Sequence, residues 1–387
     1  MRPRPLPCSV LLPDPTRSRR RGPHRPPHPP LRRPAAAEVP TLRQDRGVHE
    51  DDDRDALLLV SFGGPEGPDD VMPFLRDVTA GRGVPEERLA EVAEHYFHFG
   101  GVSPINAQNR ELMAAIRADF TAHGLNLPVY WGNRHWKPRL DDVLAAMRDD
   151  GITHAWAFLT SAYSSFSSCR QYLDAIERAR RRVGPAAPRI DRLRLYFNHP
   201  GFIEPFRDAT RAALELIPVA DRGAVAVVYV AHSIPVAMNV ASGPNGGAYR
   251  RQVEEAARLV HEGLPHPMRV AYCSRSGSPS TPWLEPDVAV VLQELASKGT
   301  RGVVVVPIGF VSDHMEVRYD LDTEAAELAA ASGLAFARAA TPGTDPRFVA
   351  MVRELVGERM GTVRPRALGS MGPAHDVCPA HCCRLRD

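Results

Sequence analysis

From Ala56 onward, short apolar runs alternate with longer stretches in which apolar residues recur every three or four positions. The short runs, Ala56–Phe62, Pro128–Gly132, His154–Leu159, Leu193–Phe197, Ala224–Ala231, Arg269–Cys273 and Gly302–Pro307, predict strands. Several are apolar throughout, as strands covered on both faces are. The longer stretches predict amphipathic helices over Glu86–Phe99, Ile105–His123, Leu140–Arg148, Arg170–Arg182, Gly201–Leu216, Tyr249–Glu262, Pro286–Ser297, Met315–Ala331 and Pro346–Met360. Strand and helix in turn imply an α/β fold with parallel sheets. Asp150–Thr153 leads into Ala155–Leu159 much as Lys298–Arg301 leads into Val303–Val306, and Leu57–Pro65 resembles Val227–Pro235. This internal echo predicts two similar doubly wound, Rossmann-like lobes, 55–218 and 219–360, divided near Pro218–Gly223 and followed by a tail over 361–387.

The first fifty residues have another pattern. Met1–Gly47 holds eleven arginines, no lysine, three acids and twelve prolines, with too few apolar residues to offset the entropy of ordering them. A disordered extension over 1–50 is expected. The stretch carries +8 against a formal net charge of +2 for all 387 residues, so the remainder carries −6 and no nucleic-acid partner is expected for it. No run approaches the ~18 apolar residues of a spanning helix, and no secretory or transit segment stands out. The expectation is a cytoplasmic protein, at most in peripheral contact with a membrane.

In open parallel sheets, ligands bind beyond the carboxyl ends of the strands. That rule points to Ser61–Pro65, Thr160–Ser168, His232–Pro235, Ser274–Pro282 and Ile308–Glu316. Tyr229–Pro235 sets His232 where an apolar strand gives out, and Pro235 stops the strand from continuing. An imidazole there suits proton transfer or metal ligation, and equally a structural histidine bonded to loop backbone; position alone does not choose. In Pro307–Glu316 a second strand ends and a helix begins, with Ser312 or Asp313 suited to cap it and Glu316 to close a capping box. Capping does not account for the acids further along the helix. Glu316, Asp320 and Glu324 recur at four-residue spacing with Asp322 close by, a row of like charges that costs a helix a few tenths of a kcal/mol. Such a row is either a path for cations or a solvated face.

Ala231-His232-Ser233-Ile234-Pro235 and Gly309-Phe310-Val311-Ser312-Asp313-His314-Met315-Glu316 together resemble the two signature segments of ferrochelatases. Ser61–Pro65, Gly100–Asn106 and Thr281–Asp287 match further segments in the family's order, so the resemblance runs from about Asp55 to Val356. It implies a porphyrin held between two lobes, with His232 on one side and Glu316 on the other as catalytic residues and ligands of the ferrous substrate. Either would serve: ferrous iron needs a nitrogen or oxygen ligand, and two pyrrole protons need a base. Asp320 and Glu324 then form a relay for ions or protons. Ser103 and Tyr163 match porphyrin-contacting positions, Phe62 and Trp283 fall in crevice loops, and Arg82 is a candidate partner for a propionate. Core packing is the competing account of each aromatic. Phe62 stands where bacterial relatives often carry tyrosine, which removes an axial oxygen ligand.

Six cysteines, three of them within the last ten residues, make no disulfide framework. Cys378, Cys382 and Cys383, with Cys169 at a predicted helix start, offer four thiolates for zinc or for an iron–sulfur cluster, a free tail being the third reading. Resemblance to actinobacterial ferrochelatases implies a [2Fe–2S] cluster on these four. Cys8, in the extension, and Cys273, closing an apolar strand, are poor ligand candidates.

The same resemblance favours coproporphyrin III over protoporphyrin IX as substrate. A cobalt or nickel chelatase for another tetrapyrrole would use the acidic row equally well. A two-lobed protein that binds porphyrin or metal without turnover is the alternative of a different class.

Overall fold

The computed structural model describes residues 54–276 and 280–384; the arginine-rich extension, Cys8 included, lies outside the described residues. Glu50–Asp387 forms one compact unit. It opens with β1 (Asp55–Ser61), then α1 (Pro68–Thr79), α2 (Glu86–Phe97), α3 (Ile105–Ala122), β2 (Val129–Asn133), α4 (Leu140–Asp149) and β3 (His154–Leu159). A π-helical turn, Phe166–Arg170, runs into α5 (Gln171–Val183), followed by β4 (Arg189–Arg192) and α6 (Pro200–Leu216). After a short 3-10 segment, Val219–Ala224, come β5 (Val225–His232), α7 (Val236–Val240), α8 (Ala248–His261), β6 (Met268–Cys273), α9 (Val288–Ser297) and β7 (Gly302–Val306). A π-helical segment, Val317–Ala325, continues as α10 (Ala326–Ala331), and β8 (Ala335–Arg338) and α11 (Pro346–Met360) close the fold.

The strands form two parallel sheets, ordered β2-β1-β3-β4 and β6-β5-β7-β8. The orders are the same once each sheet's strands are counted from its own first. The fold is α/β, with two doubly wound sheets, as the alternation of runs predicts. The echoed segments fall on equivalent strands: β1 and β5 are the first of their sheets, β3 and β7 the third. In both halves a π-helical segment comes after that third strand.

Each sheet is buried on both faces. Along β1, Leu57 and Leu59 enter one apolar cluster while Ala56, Leu58 and Val60 enter another. Along β5, Val227, Tyr229 and Ala231 join the same cluster as Leu57 and Leu59, while Ala226, Val228 and Val230 face a third. The inner faces thus share one core, completed by α6, α8 and α11, and full burial of each large apolar side chain contributes about 1.5–3 kcal/mol. Local signals set the ends of the last helix. Asp345 accepts a hydrogen bond from Arg347 N at 2.8 Å, Pro346 occupies the first turn, and Gly361 stops α11 with φ 74°.

The run Leu193–Phe197, expected as a strand, is not one. The edge strand is the polar Arg189–Arg192, and beyond the bond from Leu193 N to Ala157 O the chain leaves the sheet for the core. There Tyr196 stacks on Phe158 at 5.0 Å, and the Arg194 guanidinium, almost fully buried, bonds Glu358 of α11 at 2.6 and 2.8 Å. The helix α1 and the short edge strand β8 were not expected from the pattern. No helix among the described residues is long and apolar enough to cross a membrane.

Candidate active site and C-terminal metal centre

β5 ends at His232, paired with Cys273 at the end of β6, while the chain leaving β7 turns back against β5. Gly309 permits that approach. A β-carbon there would lie 2.6 Å from Ala231 Cα, and Gly309 N donates to Val230 O at 3.0 Å. The close crossing brings Glu316 beside His232, with Nε2 and Oε1 3.4 Å apart and the two side chains 34% and 45% exposed.

The His232 ring is oriented by its other nitrogen. Nδ1 donates to the Ser233 carbonyl, so in the neutral imidazole the Nε2 lone pair faces Glu316. Burial alone would depress the His232 pKa, but the Glu316 charge and hydrogen bond, the Ser233 carbonyl and the Asp320 charge outweigh it and raise it to about 9. Burial likewise works against ionised Glu316, yet His232 and His314 bring its carboxyl down to about 2. The resting pair at neutral pH is imidazolium and carboxylate.

The π-helical segment carries the acidic row outward from this pair: Glu316 and Asp320 are half-buried and Glu324 is exposed. π-Helical insertions recur at functional sites, and here one presents acids four residues apart in line. Burial, with repulsion from Glu316 and Glu324, lifts Asp320 to about 7 against the hydrogen bond it accepts from Ser274, and burial raises Glu324 as well. Ser274 makes that bond from a left-handed backbone, φ 61°. Asp322 is diverted from the row to Arg338, which also holds Asp313.

The expected porphyrin contacts separate into two groups. Phe62, just after β1, and Trp283, in the loop before α9, are half-buried, and Trp283 is bridged to Pro235 with its indole N–H buried and unpartnered. Ser103, 5% exposed, packs against Gly64, and Arg82 is exposed. Tyr163 departs from expectation. It is 2% exposed, its hydroxyl donates to Ile308 O at 2.7 Å, and Phe202 and Tyr249 pack edge-on to its ring, so it belongs to the shared core and offers no face to a ligand.

Arg134, which the sequence pattern did not single out, lies beside Phe62. Its guanidinium sits 5.5 Å from the Phe62 ring centroid and 4.9 Å from that of Tyr172, and bonds the neutral acceptors Ser167 O and Gln171 Oε1. Its Nε–H is buried and unpartnered, and burial lowers its pKa. A sheltered cation bonded to neutral acceptors is suited to an anionic ligand group. A buried cation of this kind has no sequence signature.

The four expected cysteines converge at a second place. Cys169 Sγ, in the first π-helical turn, is 3.6 Å from Cys383 Sγ, which is 3.7 Å from Cys382 Sγ. Cys378 Sγ lies within 4.8 Å of Cys382 Sγ, and both Cys382 and Cys169 are close enough to act on its thiol. Those contacts push the Cys378 thiol well down, and Cys378 and Cys383 in turn push Cys169 up. Cys383 holds a left-handed backbone, φ 55°, that costs a side chain about 1–2 kcal/mol, and its sulfur accepts a hydrogen bond from Gly243 N at 3.1 Å. Cys273 lies apart, buried at the end of β6.

The ferrochelatase family model matches residues 54–360. The chain belongs to the ferrochelatase family. The matched span holds the His232–Glu316 pair and ends before the cysteine-bearing tail. Among curated relatives, the chain is 53% identical to a coproporphyrin III ferrochelatase of Streptomyces griseus, over 86% of this chain and 94% of that one. It is 55% identical to one of Frankia alni, over 85% and 86%, and 50% identical to a ferrochelatase of Rhodopirellula baltica, over 85% and 93%. Among solved structures, SirB from Bacillus subtilis with Fe3+ aligns over 80% of this chain and 98% of its own, at 17% identity and a TM-score of 0.48.

Proposed function

We propose that this ferrochelatase inserts Fe2+ into coproporphyrin III, with the adjacent His232 and Glu316 presented together to the porphyrin. The observation that carries the site is the 3.4 Å approach of His232 Nε2 to Glu316, with Nδ1 committed to the Ser233 carbonyl. The relatives named for coproporphyrin III, at more than half identity over most of the chain, support the substrate.

The reaction breaks two pyrrole N–H bonds and forms four iron–nitrogen bonds with no change in oxidation state. At rest, the Glu316 carboxylate holds a proton on His232. Ferrous iron arriving at Glu316 cancels the charge that retains that proton, so His232 releases it and its neutral Nε2 becomes the base for a pyrrole proton. Protons leave by Asp320 and Glu324, toward the solvent end of the row. Arg134, with Trp283 Nε1, meets propionate carboxylates at the macrocycle edge. Phe62 and Arg82 line that edge, with Ser103 buried behind them against Gly64.

The tail cysteines fit an iron–sulfur cluster. Cys383 Sγ touches both Cys169 and Cys382, Cys378 lies within 4.8 Å of Cys382, and the buried Arg192 cation favours thiolate at Cys378. A [2Fe–2S] cluster held by Cys169, Cys378, Cys382 and Cys383 would supply a one-electron redox centre. Its thiolates would tie the Phe166–Arg170 turn to the tail, with Cys383 also bonded to the loop after α7. A cytoplasmic setting, where thiols stay reduced, suits these residues.

Anaerobic turnover of Fe2+ with coproporphyrin III tests the assignment. His232→Ala is expected to lose at least about a hundredfold in kcat while retaining porphyrin affinity. A variant that metallates at the wild-type rate would overturn the role of His232. Preference for protoporphyrin IX in the wild-type enzyme would overturn the substrate.

A further inference from the structure

The C-terminal centre contains a fifth donor. His375 Nε2 lies 3.6 Å from Cys378 Sγ and 3.7 Å from Cys382 Sγ, and these three donor atoms all lie within 4.8 Å of one another. Cys382 Sγ is in turn 3.7 Å from Cys383 Sγ. In a tetrahedral site with metal–sulfur bonds of about 2.3 Å and metal–nitrogen bonds of about 2.0–2.1 Å, neighbouring donors are roughly 3.5–3.8 Å apart. The two edges from His375 fall within that range and the third, between Cys378 and Cys382, is within 4.8 Å, whereas Cys383, beyond Cys382, is not among these mutually close donors.

His375 is also held in place. Its carbonyl accepts from Arg192 Nη2 at 3.0 Å, and the Asp376 carbonyl accepts from the same nitrogen at 3.3 Å. Arg192 is 6% exposed and its other terminal nitrogen, Nη1, is buried without a partner. One divalent cation on two thiolates and a neutral imidazole carries no net charge, so loading it buries no uncompensated ion.

We infer that His375, Cys378 and Cys382 hold a single divalent cation of the zinc type, with a fourth position left for water, as an alternative to the four-cysteine set. The centre then has two modes of loading that share two thiolates, Cys378 and Cys382. An iron–sulfur cluster requires Cys169 and a single ion requires His375.

Cobalt(II) is the probe. The reduced, metal-free full-length chain is titrated with Co2+, following the ligand-field and thiolate charge-transfer bands of a tetrahedral site, with Zn2+ displacing Co2+ as the check of class. His375→Ala is expected to weaken Co2+ binding about tenfold or more, His375→Cys to restore it with stronger charge-transfer bands, and Cys169→Ala to leave it within about threefold of wild type. Wild-type affinity in His375→Ala, or an equal loss in Cys169→Ala, would overturn the inference. Reconstitution with iron and sulfide tests the cluster separately: Cys169→Ala should lose the chromophore and His375→Ala keep it. A chromophore that survives in Cys169→Ala defeats the four-cysteine cluster and leaves the ion site to the cobalt result. Far-UV circular dichroism of each variant separates a lost ligand from a lost fold, and recovery of binding in His375→Cys excludes collapse of the tail.

Discussion

Glu316→Gln keeps the shape of the side chain and removes the charge that holds a proton on His232. At the observed 3.4 Å, a unit charge pair is worth about 5 kcal/mol at an effective dielectric constant near 20, which corresponds to ~3.5 pH units on the imidazole. Burial takes part of this back, in keeping with a net rise from 6.5 to about 9. Since the two side chains are 34% and 45% exposed, water screens more of it, and the expected fall in the variant is ~1–2 pH units. The assay is an NMR titration of nitrogen-15-labelled histidine, with the His232 signals assigned by their loss in His232→Ala. The sign carries over to stability. A histidine raised in the folded state stabilises fully below its unfolded pKa, near 6.5, and loses that contribution as pH rises through about 9. Wild type should therefore lose stability between these values, and Glu316→Gln much less. A His232 pKa that moves by less than ~0.3 in the variant would refute the charge pairing as its cause.

Asp320, lifted to about 7, destabilises the fold by its charge above that pH and costs nothing below about 3.8, where both states are protonated. Asp320→Asn should accordingly be more stable than wild type by roughly 1–2 kcal/mol at pH 8, with the difference gone at pH 3.5, as read by urea denaturation. Arg134→Ala is expected to raise the porphyrin KM about tenfold with a small change in kcat, and the effect should shrink for a porphyrin whose propionates are esterified. An equal effect on ester and acid would remove Arg134 from propionate binding. Glu358→Ala strands the Arg194 cation, whose side chain is 2% exposed, and should cost about 3–5 kcal/mol in denaturant unfolding.

Much of the architecture was legible because periodicity records burial. Runs such as Ala56–Phe62 and Ala224–Ala231 are apolar at successive positions since both faces of their strands are covered, and the repeated lead-in to β3 and β7 marks equivalent places in two like sheets. Strand-end position made His232 and Glu316 candidates, and the resemblance of their two segments to ferrochelatases singled them out. Their separation could not be read from the chain; it comes from the approach that Gly309 permits. The edge strands β4 and β8 are four residues each and polar or mixed, so pattern carries little information about them. The π-helical winding of Phe166–Arg170 and Val317–Ala325 was not read from the spacing of apolar residues, which predicts ordinary helix there.

The sequence by itself determined the α/β class, the two like halves, the strand-end histidine and acid, and the four cysteines as a set. Only the tertiary structure decided which neighbours these groups have. It buried Tyr163 in the shared core, left Arg134 sheltered without a carboxylate, diverted Asp322 to Arg338, and brought His375 and Arg192 to the cysteines. The physical reason is one of range. Secondary structure and burial depend on neighbours three or four positions away, whereas the charge and coordination of a site depend on groups that meet only when segments distant in the chain fold against one another.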